Sequence, residues 1–456
     1  MTYDICQWEE QRMKFLEEKF VPLAAALGTQ RHLAAIRDAF VVIMPVSIVG
    51  AVSVLANNIH QLFGPTGLNV PAVYNGYKNF LASSGLGDVF TAINKGSISM
   101  MAILLVAAIG YTMAQGLSGD GIATSIVAMT CYLGLVPAVQ SIANKVSWET
   151  DAKVVEVATG DIASGAVAAN KLDSNGMFVG MLLTIVVAEI FVRLSRNDKL
   201  KITLPDGVPP AVANSFTVLI PAIITVIGVV LVGTYIVRFT GKNIWDIITK
   251  FVSAPLSSVA DTLGTAVLSA FLVNFLWIFG LHGANIIGAV TTPVFTPMLL
   301  DNTEKFQQGL EAQYIAPGMN VFNTLGGSGC TIGLIIAILL FGKVQSEKTV
   351  IGISVAPGIF EINEPITFGV PIVMNPIYML PFVAAPVLMT ILAYTLTKLG
   401  IIEKVVLSTP WVTPPVLWGF LATGGGIKAM IFHVIELVLL TLIWTPFVMM
   451  SNKQNG

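Results

Sequence analysis

Apolar residues run through this chain in long windows, and the charged residues fall between them. Stretches free of Asp, Glu, Lys and Arg cover residues 39–77, 96–119, 121–144, 207–237, 262–300, 312–342, 365–397 and 405–427. A membrane helix needs about 20 apolar residues to cross roughly 30 Å of hydrocarbon, so each of these windows is long enough. Two shorter ones, 174–188 and 437–452, become full spans if Glu189 and Glu436 lie at an interface or face protein. The pattern therefore predicts an all-α integral membrane fold with about ten spans.

Some windows exceed one helix and contain helix-stopping residues, as in the stretch through Gly280, His282, Gly283, Pro293 and Pro297. These read as re-entrant hairpins. Bare backbone at membrane depth is tolerated only inside protein or along a wet cavity, so such breaks point to a substrate path; a Pro-kinked helix without a role is the plain alternative. Between 243 and 262 the period changes. Ile244, Ile247, Ile248, Phe251 and Val252 recur opposite Asp246, Lys250 and Ser253 until Pro255, which predicts an amphipathic helix in the interface. It divides the chain into residues 1–242, a scaffold of ordinary spans, and residues 263–456, the half with the broken, Gly- and Pro-rich segments.

Positive charge sets the orientation. Arg12, Lys14, Lys19, Arg31 and Arg37 form one cluster, and Arg193, Arg196, Lys199 and Lys201 another; both are expected in the cytoplasm, with both termini. The acidic segment 145–173 is expected outside. With Glu9, Glu10, Arg12, Lys14, Glu17, Glu18 and Lys19 where a signal peptide needs its apolar run, no cleaved leader is expected.

Composition agrees: 55% of residues are hydrophobic and only 11% charged, less than half of the roughly 25% of soluble domains. A net charge of −2 supplies no basic footprint for nucleic acid. Cys6, Cys131 and Cys330 lie far apart with no CxxC or Cys/His pairing, so neither a disulfide framework nor a metal site is indicated. Walker, zincin, serine-hydrolase and dinucleotide motifs are missing, which leaves no catalytic residue and no cofactor to assign.

What stands out is polarity where polarity is expensive. His282 sits between Leu281 and Gly283, two residues after Gly280, in a charge-free window, so it needs a partner or a cavity. In Phe360-Glu361-Ile362-Asn363-Glu364-Pro365, two carboxylates and an amide precede a proline at the start of another apolar segment. A carboxylate at such a break can accept two hydroxyl hydrogens, the chemistry of sugar recognition. Glu364 is the stronger candidate because Pro365 fixes its backbone; Glu361 reads equally as a hairpin cap or a partner of a backbone amide. Sugar C–H faces pack on indole, which brings in Trp277 and Trp411. An interface anchor is the default for Trp411, Trp418 and Trp444, and snorkelling for Lys95.

Around His282, in the run Asn274-Phe275-Leu276-Trp277-Ile278-Phe279-Gly280-Leu281-His282-Gly283, and around Glu364, the chain resembles the membrane EIIC subunit of the bacterial sugar phosphotransferase system, lactose/cellobiose/chitobiose family. The segments 14–24, 30–40 and 409–415 extend that resemblance over nearly the whole chain. It implies a homodimer of ten-helix protomers in the bacterial cytoplasmic membrane, with residues 1–242 as the dimerising scaffold. It implies that the C-terminal half carries a disaccharide across the lipid bilayer for phosphorylation at the 6-hydroxyl by a separate EIIB subunit, itself served by EIIA. His282 and Glu364 would hold the sugar, with Asn363 and Glu361 beside them and Trp277 and Trp411 along the rings. Cellobiose or a related β-linked diglucoside is the first expectation, ahead of chitobiose and lactose. Two rival readings are an ion-coupled sugar transporter, with Glu361 or Glu364 carrying a proton, and a membrane enzyme using His282 and Glu364 on a lipid-linked substrate.

Overall fold

The computed structural model describes residues 29–64, 68–137, 145–150, 153–158, 171–202, 215–370 and 375–455, with a few isolated positions besides. Cys6, the basic residues Arg12, Lys14 and Lys19, and much of the expected outer loop lie outside the described residues. Among those described, seven helices are long and apolar enough to cross a membrane, or nine if each of two bent helix pairs counts as one span. The chain is a multi-pass membrane protein. One departure from the all-α expectation lies in the segment 145–173. Lys145–Thr150 and Lys153–Ala158 pair as antiparallel strands, with Lys145 opposite Ala158 and Thr150 opposite Lys153; Val146, Val154, Val155 and Val157 supply the β-branched residues that strands favour.

The described residues fall into two compact units, Ser99–Ser253 and Met1–Ile98 with Ala254–Gly456. The contact boundary at 253/254 lies within the expected linker, 243–262, while residues 1–98 group with the C-terminal part, the helix Arg31–Asn58 packing against both Leu86–Gly96 and Gly283–Gln307.

In the unit Ser99–Ser253, Met101–Gly116, Gly121–Leu135, Met177–Ser195 and Leu219–Thr240 are the main helices. Asp120 caps the second by accepting the Ala123 N–H at 3.0 Å. A Cβ on Gly110 would lie 2.8 Å from the Ser125 Cα, so the first two helices meet at backbone range, as small residues allow in membranes. Glu189 is largely covered and paired with Arg193 at 2.7 Å. The helix expected to stop at Pro255 instead continues from Ile244 to Ala260: a π turn over Thr249–Ser253 absorbs the hydrogen bond Pro255 cannot donate. Trp245, absent from the expected apolar stripe, is buried with its ring 5.5 Å from that of Tyr132.

The other unit holds the long helices Arg31–Asn58, Gly283–Gln307, Pro376–Lys398 and Ile427–Asn455, with Leu263–Ile278 and Gln345–Ile359 beside them. Pro293 and Pro297 do not break the chain as expected. Gly283–Gln307 runs through both, with each proline buried among neighbouring helices, and the interruption is confined to Phe279–His282. Asn302 pins this helix to two loops, accepting from the Gln313 and Tyr314 N–H groups and donating to the Tyr314 and Val405 carbonyls at 2.8–3.0 Å. Trp418 and Trp444 are core residues, not interface anchors: the first packs with Phe322 and Phe432, the second with Tyr378. Lys95 is exposed.

Candidate substrate site

Two broken segments of the second unit meet at their tips. The first runs from Asn320 to Phe341 and bends by 54° around Gly326-Gly327-Ser328-Gly329-Cys330. Gly326, Gly327 and Gly329 have φ of 80°, 87° and 81°, a region closed to most side chains, and a Cβ on Gly327 would lie 2.7 Å from that of Asn363. The second segment follows the helix Gln345–Ile359, turns at Phe360–Asn363 and re-enters a helix at Glu364–Gly369.

The turns are held by side chains that the sequence places in the second. Glu361 is buried, in the left-handed region at φ 65°, and one carboxylate oxygen accepts the N–H groups of Gly326 and, at 3.1 Å, Gly327. Its other oxygen is buried without a partner. Asn363 donates to the Ser328 carbonyl at 3.0 Å and to the Thr367 hydroxyl at 3.1 Å. From a third element, buried Asn274 accepts the Gly329 N–H at 2.7 Å and donates to the Ala270 carbonyl. A backbone without regular hydrogen bonds is thus satisfied group by group, as burial at depth demands.

His282 and Glu364 are both exposed. His282 caps the helix Gly283–Gln307, its Nδ1 accepting the Asn285 N–H at 3.3 Å, so Nε2 is the ring nitrogen left for a further partner. Glu364 is the first residue of its short helix and makes no hydrogen bond among the described residues. The two motifs are joined through Trp277: its buried ring lies 4.8 Å from the imidazole of His282 and 6.2 Å from Phe368, on the same short helix as Glu364. Trp411 is 53% exposed, and no ring contact or hydrogen bond ties it to this group among the described residues.

Five of the six candidate residues are thereby linked: Trp277, His282 and the Glu364 helix by ring contacts, and Glu361 and Asn363 through the glycine turn. Asn274 and Gly326–Gly329 were not singled out in the sequence. The run Gly-Gly-Ser-Gly inside a charge-free window was the available signal, because such a run is costly in an ordinary helix.

The family model for the phosphotransferase system, EIIC, matches residues 37–386. The chain belongs to the EIIC family. It is 30% identical over 444 residues to the oligo-beta-mannoside-specific EIIC component of Bacillus subtilis, covering 96% of this chain and 94% of that one. With the cellobiose-specific EIIC component of Lactococcus lactis it shares 29% identity, covering 96% and 97%. The crystal structure of ChbC, the IIC component from the N,N'-diacetylchitobiose-specific phosphotransferase system, superposes with a TM-score of 0.83 at 31% identity over 97% of this chain and 98% of that one. This EIIC chain is therefore a sugar permease component, with a sugar as substrate and EIIB and EIIA as partners. Family membership displaces the ion-coupled and lipid-linked-substrate readings.

Proposed function

We propose that this EIIC chain takes up a β-linked disaccharide, cellobiose or a close diglucoside first, and presents its 6-hydroxyl to EIIB. The observation that carries the site is the contact of Trp277 with both the His282 ring and Phe368, since it brings the His282 imidazole and the short helix that begins at Glu364 to one indole from motifs far apart in the sequence. Glu364 accepts sugar hydroxyls, His282 offers one nitrogen to a hydroxyl, and Trp277 floors the pair. Glu361 and Asn363 hold the turn below, and Trp411 borders the sugar from its exposed loop. The disaccharide class draws on the names of the relatives at about 30% identity.

The wider arrangement follows the family: a homodimer of ten-helix protomers with residues 1–242 as scaffold, residues 243–262 as an interfacial linker, two re-entrant hairpins, lipid contacts around the bundle, and both termini in the cytoplasm. A cysteine placed at Ser147 should react with an impermeant reagent from outside, and one at Ser195 only after permeabilisation. For function, cells holding the full system should accumulate radiolabelled cellobiose as its phosphate, only when EIIB is present, and without loss when an uncoupler is added. Free sugar concentrated by this chain alone, and lost with the uncoupler, would overturn the proposal. Competition by unlabelled chitobiose and lactose ranks the substrates.

A further inference from the structure

Behind the glycine turn, the helices Leu263–Ile278 and Gly283–Gln307 and the segment from Ala316 to Thr324 enclose a cavity of about 360 Å³. None of the six candidate residues lines it. Its wall is rich in uncharged hydrogen-bonding groups, and no Asp, Glu, Lys, Arg or His contributes. Hydroxyls on this chain's helices commonly bond back to the carbonyl four residues earlier, as Thr303, Thr390, Thr397 and Thr441 do. At this cavity Ser269, Thr292, Thr296 and the Asn320 amide make no hydrogen bond among the described residues, so four polar side chains stand ready for a ligand. Gly288, Thr292 and Thr296 stack at intervals of four on one helix face, and the missing side chain of Gly288 keeps the space above Thr292 open. Phe295 adds one flat apolar ring.

We propose that this cavity is a second saccharide subsite, for an uncharged sugar before phosphorylation. Its volume falls at the lower end of small-molecule sites, about 300–1,000 Å³, which suits a small saccharide. Hydroxyl and amide groups around an aromatic ring match a polyhydroxylated ligand. An acyl chain suits a different place, the aliphatic cavity of about 540 Å³ walled by Leu135, Leu182, Val186, Ile224 and Val232 in the unit Ser99–Ser253. A sugar phosphate would bring unpaired negative charge into a wall without a cation. Because its hydrogen bonds are neutral, this subsite holds sugar more weakly than the Glu364 carboxylate would. Asn274 lines the cavity and also holds the Gly329 N–H, so a sugar here bears on the turn that Glu361 and Asn363 grip from the other segment. The ligand class rests on the sugar-site reading above, but the residues are separate.

The test is photolabelling of the full chain in nanodiscs with a diazirine-bearing cellobioside, followed by peptide mapping. Label is expected both in 283–307 and in 359–371, each competed by excess cellobiose, with cellobiose phosphate failing to compete in 283–307. Thr292→Val with Thr296→Val, which keeps shape and removes two hydroxyls, should cut the 283–307 label roughly tenfold and leave the other. Glu364→Gln should do the reverse. Label confined to 359–371, or label in 283–307 unchanged by the double substitution or competed by the phosphate, would overturn the subsite. Label in 283–307 alone would keep it and remove the Glu364 site instead.

Discussion

The two units differ in how far their buried polar groups reach for partners. In the unit Ser99–Ser253, Thr124, Ser125 and Thr225 bond to carbonyls four residues back, and one cavity there is aliphatic. The longer reaches there are few, from the Ser125 hydroxyl to the Ala107 carbonyl and from the Tyr132 hydroxyl to the Lys171 and Gly176 carbonyls, and what faces outward is Ile and Val, as on the helix Leu219–Thr240 with Ile223, Ile227 and Val232. In the other unit, Glu361, Asn363, Asn274 and Asn302 reach across 11 to 103 residues of sequence to hold irregular backbone. Its helix Ile427–Asn455 buries Glu436 completely, with both carboxylate oxygens unbonded and the nearest one 3.9 Å from the Nε2 of buried His433. Polar groups held at such expense make this unit the place to test for a substrate site.

Substitutions can break that contrast. The largest effect is expected from Glu361→Ala, which orphans the Gly326 and Gly327 N–H groups at about 1–3 kcal/mol each. Thermal unfolding and cellobiose binding should both fail or fall steeply. Glu361→Gln keeps an oxygen facing both amides and should be markedly milder; equal damage from Gln would mean that the charge, not the anchor, matters. Gly327→Ala comes next: at φ 87° and ψ −169° the backbone is in a region essentially reserved for glycine, costing about 1–3 kcal/mol, and here its Cβ would press on Asn363. Glu436→Leu should act in the opposite direction, raising the unfolding temperature, since it replaces a buried carboxyl group without hydrogen bonds, a desolvation cost of about 1–3 kcal/mol, by an apolar side chain of similar size. A lowered temperature would show that Glu436 stabilises the fold. At the small end, Thr225→Val in the other unit removes only a local back-bond of a buried hydroxyl and should cost no more than about 1 kcal/mol with cellobiose binding unchanged.

Much of this contrast is legible in the amino-acid sequence. Charge-free windows locate the long helices because lipid excludes charge whatever the packing, and the motifs around His282 and Glu364 contain the residues that Trp277 brings together. Other features are not legible there. Proline's effect depends on whether neighbours cover the freed carbonyl, which is why Pro293 and Pro297 sit inside one helix; Trp418 and Trp444 share an interface residue's composition but are packed inward. The anchoring role of Asn274 exists only in three dimensions, as its partner Gly329 is 55 residues away.

His282 and Glu364 as the sugar's ligands are the centre of the proposed mechanism. Equilibrium dialysis of radiolabelled cellobiose against the purified chain, wild type beside Glu364→Gln and His282→Ala, tests this apart from the EIIB reaction. Glu364→Gln puts a donor nitrogen where a hydroxyl needs an acceptor, and losing a hydrogen bond to a charged group costs about 1.5–3 kcal/mol. The tight component of binding should therefore weaken by roughly one to two decades in each variant while membrane insertion is kept. Tight binding of near wild-type strength in both variants would contradict the site.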